Sequence, residues 1–220
     1  MEQTFVETHS RYDWTEVTEK IASKSSADVH AALSRAGRGT LDDFMALISP
    51  AAAPYLEEMA QLSHRLTQKR FGKTIQMYIP LYLSNECSNA CTYCGFSSSN
   101  KMERLTLNHE QILKEVGVIK ELGFDHVLLV TGESKKKVGV EYFKDVIRLI
   151  RPHFSHISIE VQPMDQDEYQ QLIDLGVSAV MVYQETYHKE NYPNYHPKGK
   201  KSDFNYRLET PDRLGKAHIR

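Results

Sequence analysis

The hydrophobic period of the chain changes near residue 73. Before that point apolar residues recur at helical spacing. Asp13 is placed to cap a helix that starts at Trp14 and carries Val17 and Ile21. Ser26 is placed to cap a second, with Val29, Ala32 and Leu33 on one face. Thr40 precedes a third, carrying Leu41, Phe44, Leu47 and Ile48. Ser49-Pro50 stops it and opens a longer helix with a stripe of Tyr55, Leu56, Met59, Leu62 and Leu66, followed by Gly72. Residues 1–12 are polar and read as irregular, and residues 1–72 as a helical N-terminal extension.

After residue 73 the pattern alternates. Ile75, Met77, Ile79, Leu81 and Leu83 are separated by Gln76, Tyr78, Pro80 and Tyr82, which predicts a strand. Pro80 cannot donate to a ladder and points to an edge or a bulge. A helix capped by Thr106 or Asn108 follows through Ile112, Val116, Ile119 and Leu122 to Gly123. His126–Thr131 is a short apolar run of the buried parallel type. A helix over Gly139–Ile150, a strand His156–Gln162, a helix Asp165–Leu175 ended by Gly176 and a strand Ala179–Gln184 come next. A loop rich in Tyr, His, Pro and Lys runs to about Phe204, and Asn205–Ala217 reads as a helix with Pro211 near its first turn. Four βα units in residues 73–220 predict an α/β fold, a parallel sheet curved toward a partial TIM-type barrel. Sites in such folds sit at the C-terminal ends of the strands. The loop after the first strand, Gly132-Glu133, Glu160-Val161-Gln162 and Gln184-Glu185-Thr186 all fall there.

Composition narrows the class without naming the chemistry. The 220 residues are 40% hydrophobic and 25% charged, with a net charge of −2, an ordinary globular composition that gives no general nucleic-acid binder. No apolar run approaches the roughly 20 residues that span a bilayer. The N-terminus MEQTFVETHS lacks a basic region followed by an apolar core, so no secretory leader is expected, and with reduced thiols this points to the cytoplasm.

The chemistry is concentrated in one loop. All three cysteines, Cys87, Cys91 and Cys94, lie in CSNACTYC with C-x3-C-x2-C spacing. Three thiolates on a polar loop can hold a metal or an iron–sulfur cluster, and a four-iron cluster would keep one iron open for a ligand. Buried core cysteines, and zinc completed by one of the ten His, remain alternatives, while the odd count disfavours disulfides. Glu133 follows a buried strand through Gly132, where a ligand can approach the backbone, and its carboxylate can accept from an ammonium. Gln184 and Thr186 can bond hydroxyls, and Arg207 can hold a carboxylate. Glu160 alternates with Ile159 and Val161 and would face the sheet's inner side at a cost without a partner. Lys198, Lys200 and Lys201 in HPKGKK read as a solvated loop or as a cover for the mouth, and the histidines show no ligand spacing.

The motif C-x3-C-x2-C with Tyr93 before its last cysteine resembles the signature of radical S-adenosylmethionine (SAM) enzymes. That resemblance implies a [4Fe–4S] cluster on Cys87, Cys91 and Cys94. It implies SAM chelated through its amino and carboxylate groups to the open iron and cleaved to a 5′-deoxyadenosyl radical. It further implies a contact with Tyr93, Gly132 and Glu133 near the methionine amino group, although Thr131 stands where the motif has a first glycine. The biotin-synthase-like members imply Gln184 and Thr186 near ribose and Arg207 on the methionine carboxylate, with Glu160 a further cofactor contact. The blocks PLYLSNECSNACTYCGFS, LLVTGE, IEVQP, MVYQETYH and RLETPDRLGKA resemble the tyrosine lyases that form 2-iminoacetate (dehydroglycine) and p-cresol for the thiamine thiazole. The hydrogenase-maturation tyrosine lyases share several of them. The partners so implied are L-tyrosine, a reductant such as flavodoxin or ferredoxin, and thiazole synthase. A non-catalytic metal-binding module is the reading from another class. Barrels of this kind have at least six βα units, and the chain stops at Ala217-His218-Ile219-Arg220. It therefore reads as the N-terminal part of a longer enzyme, with an open strand edge that invites association.

Overall fold

The computed structural model describes residues 3–219. Two compact units are present: residues 7–76, and residues 77–219 together with residues 3–6.

In the first unit the polar residues that precede each helix decide where it begins. Asp13 accepts from the Glu16 N–H and starts α2 (Trp14–Ala22). The cap of α3 (Ser26–Ser34) is Ser25 rather than Ser26, because Asp28 lies three residues on from Ser25 and closes a capping box with it. Thr40 and Asp43 do the same for α4 (Leu41–Leu47). A 3-10 turn at Pro50–Tyr55 leads into α5 (Leu56–Phe71), which ends at Gly72 with a φ of 69°. Val29, Ala32, Leu33, Ala46 and Ala52 form its small core, with Met59 and Leu62 packed on it.

Residues 1–12 are not wholly irregular, since α1 (Phe5–His9) lies among them. Phe5 and Val6 pack on Tyr192, Phe204 and Leu208, and the Phe5 N–H donates to Asp212 Oδ1 at 2.7 Å. This apolar anchorage was invisible in a short polar segment.

The second unit is a four-stranded sheet in the order β1-β2-β3-β4 with all neighbours parallel. The elements run β1 (Ile79–Ser84), α6 (His109–Glu121), β2 (His126–Thr131), α7 (Val140–Ile150), β3 (His156–Glu160), α8 (Gln166–Asp174) and β4 (Val177–Val180). Leu83, Leu129, Ile157 and Ile159 from the strands meet Ile112, Phe143, Ile147 and Leu172 from the helices in one core. Pro80 lies on the edge strand, and the β1–β2 register shifts between Tyr82 and Ser84, so the proline sits beside a bulge.

Three strand boundaries differ from the sequence pattern for one reason: a strand lasts only as long as its partner. Ile75 and Met77 alternate correctly, yet pairing begins at Ile79 opposite Val127, and Ile75 is 84% exposed. β3 stops at Glu160, short of Gln162. β4 starts two residues before Ala179, directly after Gly176, and its ladder ends at Val180. The apolar residues Met181 and Val182 line a cavity instead of a sheet.

The C-terminal helix is broken as well. α9 (Tyr192–Tyr195) and a 3-10 turn at Lys200–Ser202 interrupt the loop that precedes it. α10 (Phe204–Leu208) ends at Glu209, and α11 (Thr210–Lys216) begins there. Pro211 has no N–H for the Arg207 carbonyl, so one continuous helix across it would lose that bond.

Asp43 offers a test of the first unit. The Arg35 guanidinium, and then the Thr40 backbone N–H, hold its carboxyl well below the ordinary value of 3.8. A carboxyl depressed by folding contributes stability above its unfolded pKa and loses it as pH falls toward the folded one. The urea midpoint of residues 7–76 should therefore fall between about pH 5 and about pH 2, and Asp43→Asn should flatten that fall. Equal slopes in parent and variant would remove Asp43 from the acid response.

A three-cysteine cavity at the strand ends

The site is built from the segment that follows β1. Its backbone turns over the end of β2: the Gly132 N–H donates to Ser84 O at 2.9 Å, and the Ser88 N–H and Oγ–H both donate to Glu133 O at 2.9 Å. A Cβ on Gly132 would stand 2.4 Å from the Glu86 carbonyl oxygen and 3.1 Å from the Cys87 Cβ. The glycine is what lets the cysteine loop lie on the strand end.

A second segment locks the loop from the other side. The Ala90 N–H donates to Lys198 O and the Thr92 N–H to Tyr195 O, each at 3.0 Å. Gly199, at a φ of 94°, packs so closely that its Cβ would meet Asn89 Oδ1 at 2.3 Å. The HPKGKK run is thus a cover held against the cysteine loop, and Lys201 reaches the cavity.

Together these segments enclose a cavity of about 260 Å³. Cys87, Cys91 and Cys94 line it, with Tyr93, Gly132, Glu133, Glu160 and Arg207. Eight of the ten residues singled out from the sequence therefore meet in one place. Gln184 and Thr186 are not on its wall. Gln184 is buried, with its amide donating to Phe204 O at 3.3 Å, and Thr186 Oγ1 accepts from the His188 N–H at 3.1 Å. Both groups are used by the local backbone.

Charge in the cavity is arranged around Glu133. One carboxylate oxygen pairs with the Arg207 guanidinium, and the other accepts from Asn89 Nδ2 at 2.8 Å. Arg207 also donates to Tyr183 O at 3.0 Å and is 4% exposed. Asn89 is buried too, and its Oδ1 accepts from the Lys201 N–H at 3.0 Å. Lys201 Nζ pairs with Glu185 at 2.7 Å. Burial, and then the Glu185 charge, raise the Glu160 carboxyl, while burial pushes the Cys91 thiol up. Burial followed by Glu185 holds the Tyr93 phenol far above its ordinary value, so it stays protonated.

Asn89 and His196 were not found from the sequence, and Glu185 and Lys201 were read only as part of a strand end and of a charged loop, without their pairing. Each acts through a partner far along the chain, and no spacing encodes that. Asn89 is the exception in part, since it lies inside the cysteine loop itself.

The donor set fits an iron–sulfur cluster. Three thiols face one cavity, and two buried polar atoms of its walls, Thr131 Oγ1 and Arg207 Nε, lack a partner among the described residues. No three His, Cys, Asp or Glu side chains among the described residues gather tightly enough for a single ion. Thiols that each take a different iron of a cluster need not gather so closely.

Residues 81–220 match the model of the Radical SAM superfamily, and the chain belongs to that superfamily. Its members use a [4Fe–4S] cluster and S-adenosylmethionine. Within it, the chain is 52% identical over 217 residues to 2-iminoacetate synthase of Escherichia coli (strain K12), covering 99% of this chain and 57% of that protein. The 2-iminoacetate synthase of Salmonella typhimurium matches to the same extent. The chain thus spans 57% of the length of these curated relatives. Among solved structures, HydG, a maturase of the [FeFe]-hydrogenase, superposes with a TM-score of 0.89 at 26% identity, covering 94% of this chain and 48% of HydG. Methylornithine synthase (PylB), at a TM-score of 0.67 and 20% identity, shares the fold. The four parallel strands are part of the TIM-type barrel of such enzymes.

Gly132→Ala tests the geometry of the loop. Because the closest atoms are the backbone carbonyl of Glu86, the added methyl cannot be absorbed by a side chain moving away. The variant should lose about 1–3 kcal/mol by urea denaturation, as for overpacked sites. A variant as stable as the parent would show that the loop does not rest on β2.

Proposed function

We propose that this chain carries the cluster and SAM site of a radical SAM carbon–carbon lyase that cleaves L-tyrosine to 2-iminoacetate and p-cresol, with 5′-deoxyadenosine and methionine as coproducts, for thiamine thiazole formation. The observation that carries the reading is the single cavity on which all three cysteines meet the Glu133–Arg207 pair. The 52% identity to proteins named 2-iminoacetate synthase supports the tyrosine lyase over the wider superfamily. The likeness to HydG supports a hydrogenase-maturation lyase as the second reading, at half that identity. A flavodoxin or ferredoxin as reductant and thiazole synthase as a downstream partner belong to the same proposal, as does a cytoplasmic setting with reduced thiols.

The roles follow from the chemistry of each group. Cys87, Cys91 and Cys94 each take one iron and leave the fourth open. Bound there, the cluster and SAM supply a 5′-deoxyadenosyl radical. Glu133 accepts from the SAM ammonium, as a carboxylate already aimed at donors can. Arg207 has an Nε–H without a partner, so it can donate to the methionine carboxylate without leaving Glu133. Glu160 stands on the cavity wall, where Gln184 and Thr186 do not, and it is the better placed of the three for ribose hydroxyls. Tyr93 presents its ring, and Val130, Val161, Met181 and Val182 make the wall apolar and displace water from a radical.

Anaerobic reconstitution followed by iron, acid-labile sulfide and zinc analysis tests this. About four irons and four sulfides per chain are expected. Cys91→Ala should lose the stable cluster while the sheet keeps its circular dichroism. Zinc without sulfide in the parent, or a full cluster with its paramagnetic signal in Cys91→Ala, would contradict the assignment. Release of p-cresol from tyrosine by the loaded protein, with SAM and a reductant, would separate a tyrosine lyase from other members of the superfamily.

A further inference from the structure

His196 is wholly buried, yet it forms no ion pair with a carboxylate and belongs to no metal-ligand set among the described residues. Its ring is fixed from several directions. Tyr192 lies against one face with ring centroids 4.1 Å apart, and Tyr192 is itself held by Phe204 and by its hydroxyl, which donates to Lys201 O at 2.7 Å. His196 Nδ1 is 3.1 Å from the Tyr192 carbonyl oxygen. A carbonyl only accepts, so Nδ1 carries the proton. Burial lowers the pKa of the imidazole, which keeps the ring neutral, and its Nε2 is then an acceptor. That acceptor is 2.7 Å from the Tyr93 hydroxyl, whose ring meets the imidazole edge-on.

Tyr93 lies between Cys91 and Cys94. Its ring is half exposed toward the cavity, and only its hydroxyl reaches a buried partner. The Lys201 ammonium lies over the ring, 5.8 Å from its centroid, but a cation over a ring face leaves the ring free to turn in a way that a hydrogen bond to its hydroxyl does not. The two bonds from Ala90 and Thr92 to Lys198 and Tyr195 hold the backbone just before it. The Tyr93 hydroxyl is the side-chain counterpart of those bonds, joining positions 103 residues apart in sequence.

We propose that His196 is a positioning residue for the cluster loop: its Nε2 accepts the Tyr93 hydroxyl proton, which fixes the Tyr93 ring against the cavity and holds Cys91 and Cys94 in place for their irons. The proposal rests on the reading of the cavity as a cluster site. His196 touches neither the cluster nor a substrate, and it acts through Tyr93 alone.

The test measures how fast a chelator removes iron from anaerobically reconstituted protein. Tyr93→Phe removes the donor and keeps the ring, and His196→Phe removes the acceptor and keeps the packing. Each should speed iron loss about fivefold, the range of one net neutral hydrogen bond. The double variant should be no faster than either single one, because both remove the same bond. His196→Gln, which offers an amide oxygen near the Nε2 position, should stay within about twofold of the parent, as it restores the acceptor. Multiplying effects in the double variant, or a Gln variant as fast as the Phe variant, would overturn the proposal. Tyr93→Phe changes no buried packing, so if it loses iron no faster than the parent, the proposal falls whatever the His196 variants do. A parent that takes up no iron and sulfide at all would overturn the cluster reading and this proposal with it. A loaded parent with indifferent variants overturns only this proposal.

Discussion

The site depends on the buried contact between Glu133 and Arg207, with Asn89 as the third member. Three parts of the chain meet there: the cysteine loop through Asn89, the end of β2 through Glu133, and α10 through Arg207. A buried charge without a partner is costly, and removing one member of such a pair costs about 3–5 kcal/mol. The three segments are therefore not free to move apart. The polar bonds that remain, from Ser88 to the Glu133 carbonyl and from the Lys201 N–H to Asn89, tie the same parts again. The sheet supplies the platform, since its apolar core fixes where β2 ends and so where Glu133 begins.

This arrangement explains how a loop with three thiols can be kept ready without being part of the core. Its inner side rests on Gly132, where no side chain could fit. Its outer side is held by residues 195–201, through backbone bonds and through Gly199 packed on Asn89. The thiols are left facing the cavity, with Cys91 the most buried of them. The cavity is thereby assembled from sequence-distant pieces that each make sense locally: a strand end, a loop, a short helix.

Much of this was legible in the sequence because it rests on periodicity and on residue types with one dominant use. The buried strand His126–Thr131 was read with its true bounds, since a parallel central strand is apolar on both faces. The cysteines, Gly132 and Glu133 were found from their chemistry and from strand ends, and Arg207 from the family resemblance. What failed did so for non-local reasons. Ile75 and Met77 alternate like a strand but have no partner beside them. Ala179–Gln184 reads as one apolar strand, yet half of it lines the cavity. Gln184 and Thr186 sit near the site in sequence but spend their polar groups on Phe204 and His188. His196 gives no local signal, because its meaning comes from Tyr93 across the loop.

The central claim is that the Glu133 carboxylate, aimed by Arg207 and Asn89, is part of the S-adenosylmethionine site and not only a structural ion pair. The direct measurement is the affinity of cluster-loaded Glu133→Gln for S-adenosylmethionine, by equilibrium dialysis under anaerobic conditions. The substitution keeps the size of the side chain and removes its charge. The account predicts binding weaker by about 1.5–3 kcal/mol, the worth of hydrogen bonds to a charged group, with iron and sulfide content unchanged. Parent-like affinity in a fully loaded variant would contradict it.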